Sequence, residues 1–171
     1  MSPVPADETS AERQDRLIGE IVAEASAVFE PETDIRALMR LSHENSSQKG
    51  FHDYGRELRR RLEAAETAEA VEELAFLESS YQRYLGNLLM LLVGESAEAH
   101  EEVRAGREAS ETYFEVKADG SAKPLGFASE LADVAIRLFD TAQELGVDLA
   151  GIIAMKMQYN ASRGHMHGKV M

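Results

Sequence analysis

The chain has 171 residues, enough for one ordinary domain with its own core. Its formal net charge of −13 excludes a general binder of nucleic-acid backbones, which need a basic surface. It has no cysteine, so a disulfide framework and a thiolate site are both excluded.

The first dozen residues are polar and acidic, with little to bury, and read as a flexible tail. They lack the basic and apolar regions of a signal peptide. From Arg13 to Phe29, Leu17, Ile18, Ile21, Val22, Ala25 and Val28 recur at helical spacing. "EPETD" interrupts that pattern. A second helix is expected from about Thr33 to Asn45, with Ile35, Leu38, Met39 and Leu41 inward. "NSSQKGFHDYG" reads as a Ser- and Gly-rich loop, and a short charged helix from Arg56 to Ala65 follows it.

The longest element is expected from near Thr67 to near Gly106. Leu74, Leu77, Tyr81, Tyr84, Leu88 and Leu91 step along it by three or four and form one apolar stripe. "GREASETYFEVKADGSAKPLG" reads as an inserted loop or short hairpin, with strand character from Tyr113 to Val116. A further helix spans about Phe127 to Leu145 with Gly146 as its C-cap. The last helix opens on Asp148 as N-cap and runs into the basic tail "GHMHGKVM". Every long periodic segment is helical, so the expected fold class is all-α. The longest apolar run, Leu88 to Val93, is far too short to cross a bilayer. No membrane association is expected, and a cytoplasmic location fits the composition.

Two acid pairs stand out. At about 100° per residue, with Glu95 at zero, Leu88 lies at roughly +20°, Leu91 at −40°, Glu98 at −60° and Glu102 at −20°. The acids therefore continue the face that carries the leucines. Glu130 and Asp133 lie one turn apart on the helix expected from Phe127 to Leu145, bordered by Leu131, Val134 and Leu138. Isolated buried carboxylates cost several kcal/mol, so such a face needs partners or a cation. Four carboxylates from two helices form an all-oxygen set suited to Mg²⁺ or Mn²⁺. Acidic pairs at this spacing also line ordinary solvated helix faces, and the chain has 31 acids. What sets these two pairs apart is that both are attached to apolar stripes.

In their order and wording these segments resemble the MazG-like, all-α nucleoside triphosphate pyrophosphohydrolases. The family pattern is E-x-x-E, a spacer, then E-x-x-D. Here it reads Glu95, Glu98, Glu130 and Asp133, within "LLVGESAEAHEEVR" and "ELADVAIRLFD". "NSSQKGF" resembles the N-x-x-x-K-G-F segment upstream, and "KMQYNASRGHMHGK" is similar to the family's closing segment. The likeness covers roughly residues 35 to 169, and leaves residues 1–34 as an added tail and helix. It departs in two places. Gly94 stands where many members carry a further acid, and a 31-residue spacer follows Glu98.

The resemblance implies a helical bundle with the insertion between its two acidic helices. It implies Mg²⁺-dependent hydrolysis of a ribo- or deoxyribonucleoside triphosphate to the monophosphate and pyrophosphate, in nucleotide-pool house-cleaning. Glu95, Glu98, Glu130 and Asp133 would be both metal ligands and the catalytic set. Lys156, Tyr159, Asn160 and Arg163 would contact phosphate and sugar, and Lys49 phosphate or base. A homodimer or homotetramer is implied as well. Two alternatives stay open: a dUTP- or dCTP-restricted diphosphatase of the same fold, and a helical interaction module without enzymatic activity. His43 and His100 read as ordinary surface or half-buried histidines.

Overall fold

A computed structural model describes residues 34–67 and 70–161, and positions 9, 11–13, 15–17, 19 and 20 towards the N-terminus. Its elements are the helices α1 (Ile35–Gln48), α2 (Asp53–Thr67), α3 (Val71–Arg104), α4 (Phe127–Glu144) and α5 (Leu149–Ala161). Between α3 and α4 lie strands β1 (Tyr113–Val116) and β2 (Ala122–Leu125). The protein is mostly helical, with one small antiparallel hairpin. Among the described residues no helix is long and apolar enough to cross a membrane. The expected helix Arg13–Phe29 is helical at 13, 15–17, 19 and 20; its remainder lies outside the described residues, as does the C-terminal tail with Arg163. The chain divides into two compact units, Met1–Thr33 with Val93–Val134, and Asp34–Leu92 with Ala135–Met171.

In the second unit, Asp34 caps α1 by accepting the Ala37 N–H at 2.7 Å. The helix runs three residues past its expected end. "NSSQ" has the composition of a loop, yet Ser46 is buried and its carbonyl accepts the N–H groups of Lys49 and Phe51, which closes the helix there. Leu41, expected inward, is 41% exposed. The buried face of α1 continues instead from Met39 through half-buried His43 to Ser46, at spacings of four and three. Two residues from Met39, Leu41 is about 200° round the helix.

Leu58 and Ala65 of α2 pack with Leu77, Tyr84 and Leu88 of α3, and Leu62, Leu74, Tyr81 and Leu85 flank this cluster. The α3 stripe is thus inward as far as Leu88, whereas Leu91 is exposed. The close approach of the two helices depends on Gly55. A Cβ there would lie 2.3 Å from the Tyr84 ring. Gly55→Ala gains helix propensity but forces the ring away, and a net loss of about 1–2 kcal/mol is expected. Thermal denaturation reads it, and an unchanged Tm would show that the ring yields freely. Gly146, at φ 67°, ends α4 as expected, and Asp148 caps α5 by accepting the Gly151 N–H at 3.2 Å.

In the first unit, Thr9 and Glu12 form a reciprocal cap, with Thr9 N–H to Glu12 Oε2 at 2.9 Å and Glu12 N–H to Thr9 Oγ1 at 3.3 Å. Positions 11–13 are helical, so this helix starts ahead of the expected Arg13. The hairpin pairs Tyr113 with Leu125 and Val116 with Ala122. It is tied to the end of α3 through Glu102, which accepts from Tyr113 Oη at 3.0 Å and pairs with Arg107 Nε at 3.2 Å. The Arg107 guanidinium lies 4.0 Å from the centre of the Tyr113 ring.

Candidate metal centre

Glu95 and Glu98 stand one turn apart on the part of α3 that belongs to the first unit, beside buried Ala99. Glu130 comes from the first turn of α4, in the same unit. The chain reaches that turn through Gly126, at φ 112°, where a Cβ would meet the Glu111 carbonyl at 2.6 Å. Only glycine fits this junction of strand and helix. The Glu130 N–H then bonds the Gly126 carbonyl at 3.1 Å, which fixes the angular position of Glu130.

One carboxylate oxygen from each of Glu95, Glu98 and Glu130 lies within 4.8 Å of the others. Glu130 is buried, at 4% exposure, Glu95 is half-buried, and Glu98 is exposed. The expectation that all the acids turn inward therefore holds for Glu130 and in part for Glu95, and fails for Glu98. The reason is the 60° offset of Glu98 from Glu95 on the helix, which carries it to the rim. Asp133 is half-buried one turn along α4, outside the three-residue set. Glu102, on the same α3 face, is spent on holding the hairpin.

Loss of hydration pushes the Glu130 carboxyl above the ordinary carboxylate range, and the charges of Glu98, Asp133 and Glu95 push the same way. Lys123 of β2 opposes them. The folded chain thus holds this proton more tightly than the unfolded one. The associated stability is present at acid pH and is lost as pH rises through the raised pKa. In chelator, the Tm of the wild type is expected to fall across that window, and Glu130→Gln to flatten the fall. A parallel fall in both proteins would remove Glu130 as its source.

The donor set fits a hard divalent cation. Mg²⁺ takes oxygens at about 2.1 Å, so neighbouring donors around it lie about 3 Å apart. Three carboxylates already within 4.8 Å need only small side-chain rotations to meet that spacing, and rim-placed Glu98 is free to make one.

The other site residues suggested by the sequence fall in the second unit, as far as they are described. Lys49 is exposed at the end of α1. Lys156, Tyr159 and Asn160 are exposed on α5, with the Lys156 ammonium 5.4 Å from the centre of the Tyr159 ring. That unit also holds a buried polar centre that the sequence pattern does not single out, formed by His43, His52, Asp140 and Glu144. Its one sequence-level sign is the i, i+4 spacing of Asp140 and Glu144, on the α4 face that also carries Asp133 and Arg137. Compared with known proteins, the chain matches no family model, no curated protein and no solved structure.

Proposed function

We propose that the protein hydrolyses nucleoside triphosphates between the α and β phosphates, with Mg²⁺, or Mn²⁺ in its place, held by Glu95, Glu98 and Glu130. The observation that carries this reading is the convergence of three carboxylates from two helices, one of them buried, with its pKa raised by burial and by the neighbouring acids. The resemblance gives the fourth place to Asp133, half-buried one turn along α4 from Glu130. The ordered likeness of four sequence segments to the MazG-like enzymes supports the same reading.

The chemistry follows from charge. A triphosphate is strongly anionic, and so is this chain. The cation supplies Lewis acidity towards the phosphate oxygens when bound. Glu95, Glu98 and Glu130 would hold the cation, with Glu98 closing the cage from its exposed place at the rim. Water attacks the α-phosphorus, the α–β anhydride bond breaks, and monophosphate, pyrophosphate and one proton result. Exposed Phe76, Leu89 and Met90 along α3 support a homo-oligomer. Light scattering is expected to give a dimer or tetramer that Leu89→Glu reduces in mass; a wild-type monomer would remove that assignment.

The deciding experiment incubates the chain with Mg²⁺ and a panel of ribo- and deoxyribonucleoside triphosphates, and separates the products by chromatography. Monophosphate plus pyrophosphate is expected, and the panel ranks the bases, so that activity confined to dUTP or dCTP identifies the restricted form. Diphosphate plus phosphate would refute the bond assignment. A well-folded chain with no turnover and no Mg²⁺-dependent gain in Tm would leave an interaction module.

A further inference from the structure

The polar centre of the second unit is built like a site for a transition metal. His43 lies on α1, His52 in the turn before α2, and Asp140 and Glu144 one turn apart on α4. The side chains of His52, Asp140 and Glu144 are more than nine-tenths buried, and that of His43 is 21% exposed. Asp140 Oδ1 lies 3.2 Å from His43 Nδ1 and 2.7 Å from His52 Nε2. A carboxylate oxygen accepts, so the tautomer that matches this geometry has the N–H of each ring on these two nitrogens.

The opposite edges of the rings face Glu144. Its Oε2 is 3.7 Å from His43 Nε2 and 3.9 Å from His52 Nδ1. The Arg56 guanidinium, which only donates, lies 3.3 Å from His43 Nε2, so that nitrogen is an acceptor. Tyr84 Oη, at 3.4 Å, is placed to donate to His52 Nδ1. Two imidazole lone pairs and a buried carboxylate therefore converge with no proton of their own between them. One ring nitrogen from each histidine and one Glu144 oxygen lie within 4.8 Å of one another. Moreover, Glu144 Oε1 is buried without a hydrogen bond, its nearest cation being Arg59 at 3.5 Å.

We propose that His43, His52 and Glu144 bind a divalent transition metal of the zinc class, with Asp140 as the positioning carboxylate behind both rings. Imidazole nitrogens with a carboxylate are a zinc-type donor set, unlike the all-oxygen set of the acidic triad. Tetrahedral ligands at about 2.0–2.1 Å stand about 3.4 Å apart, so 3.7 and 3.9 Å require only small contractions. A carboxylate that receives the second N–H of a metal-binding histidine fixes its tautomer and strengthens it as a ligand, and Asp140 does this for both rings. Arg56 now supplies positive charge at the place, 3.2 Å from Glu144 Oε2 and 2.7 Å from Ser47 Oγ. Its side chain is 44% exposed, so it has room to swing out as the metal enters. The three protein donors leave a fourth position for water. A cavity of about 240 Å³ adjoins the centre, with His52, Tyr84 and Asp140 among its lining residues.

The test is titration of the chelator-stripped full chain with Co²⁺, followed by visible absorption, and with Zn²⁺ by competition. Wild type and Glu98→Gln are expected to develop the same four-coordinate cobalt spectrum, which the all-oxygen triad does not give, so the site stands or falls apart from the acidic triad. His43→Ala and Glu144→Gln are expected to lose it, with circular dichroism confirming that they fold. His43 is preferred to His52 because its ring lies at the rim. Asp140→Asn is expected to weaken binding about 10- to 100-fold. Arg56→Ala, which removes the competing cation, is expected to tighten it. An unchanged cobalt spectrum in His43→Ala would overturn the proposal, as would absence of binding in both folded wild type and Arg56→Ala.

Discussion

Glu98→Gln is expected to lower nucleotide turnover at least about a hundredfold, because it removes one anionic donor from the proposed cage. A hundredfold corresponds to about 2.7 kcal/mol of lost transition-state stabilisation. The fold should not register the change. Glu98 is exposed, and exposed substitutions usually stay within about 0.5 kcal/mol. The Tm in chelator is therefore expected to match the wild type, while the Mg²⁺-dependent gain in Tm disappears. Glu101→Gln is the control. It lies three residues on, exposed and paired with Arg104 at 2.8 Å, outside the triad. Equal loss in both variants would point to the general charge of α3, and no loss in Glu98→Gln would end the metal-cage reading.

Leu77→Ala is expected to have the largest effect on stability. Leu77 is at 0% exposure, with Leu58, Ala65, Tyr84 and Leu88 in its cluster. Truncation of a buried leucine costs about 2–5 kcal/mol, depending on how far its surroundings collapse into the space. For a chain of this size that is a fall in Tm of roughly 5–15 °C. Gly55 brings α2 close to α3 near Tyr84, so the backbones have little freedom to close further, and the upper half of the range is expected. A fall no larger than that of Glu78→Ala, on the exposed side of the same helix, would show that this cluster is not the one that holds the unit together.

The helices and the acid pairs were legible in the sequence because both follow local rules. Leu74, Leu77, Tyr81, Tyr84 and Leu88 repeat at helical spacing, and the structure buries them wholly or in part. The strand character of Tyr113–Val116 was legible for the same reason, and Ala122–Leu125 is its partner. The end of α1 was not. Ser46 and Ser47 have loop composition, and contacts from outside the segment accompany their helical form: Ser46 is buried, and Ser47 Oγ accepts from Arg56 at 2.7 Å. Glu98 was placed inward by a wheel that shows angle but not how far the cover extends. The histidine centre was hidden for a different reason. Its contacts join positions 88 and 97 apart in the chain, and no periodic pattern relates them.

The junction at Gly126 makes the hairpin a ruler for the second acidic helix. β2 ends at Leu125, Gly126 sits against the Glu111 carbonyl, and Glu130 follows one helical turn later. One residue added or removed between Gly126 and Glu130 would swing that carboxylate by about 100°, away from Glu95 and Glu98. A change of length within β2 would unseat the glycine itself. The turn between the strands is different. It is closed locally, by the Lys117 N–H on the Ser121 carbonyl at 2.8 Å and by Asp119 Oδ1 accepting from Ser121, and nothing downstream is measured from it. Length variation in this protein should therefore be tolerated at 118–120 and rejected a few residues later, and a graft or reporter loop placed in that turn should leave the carboxylates in register.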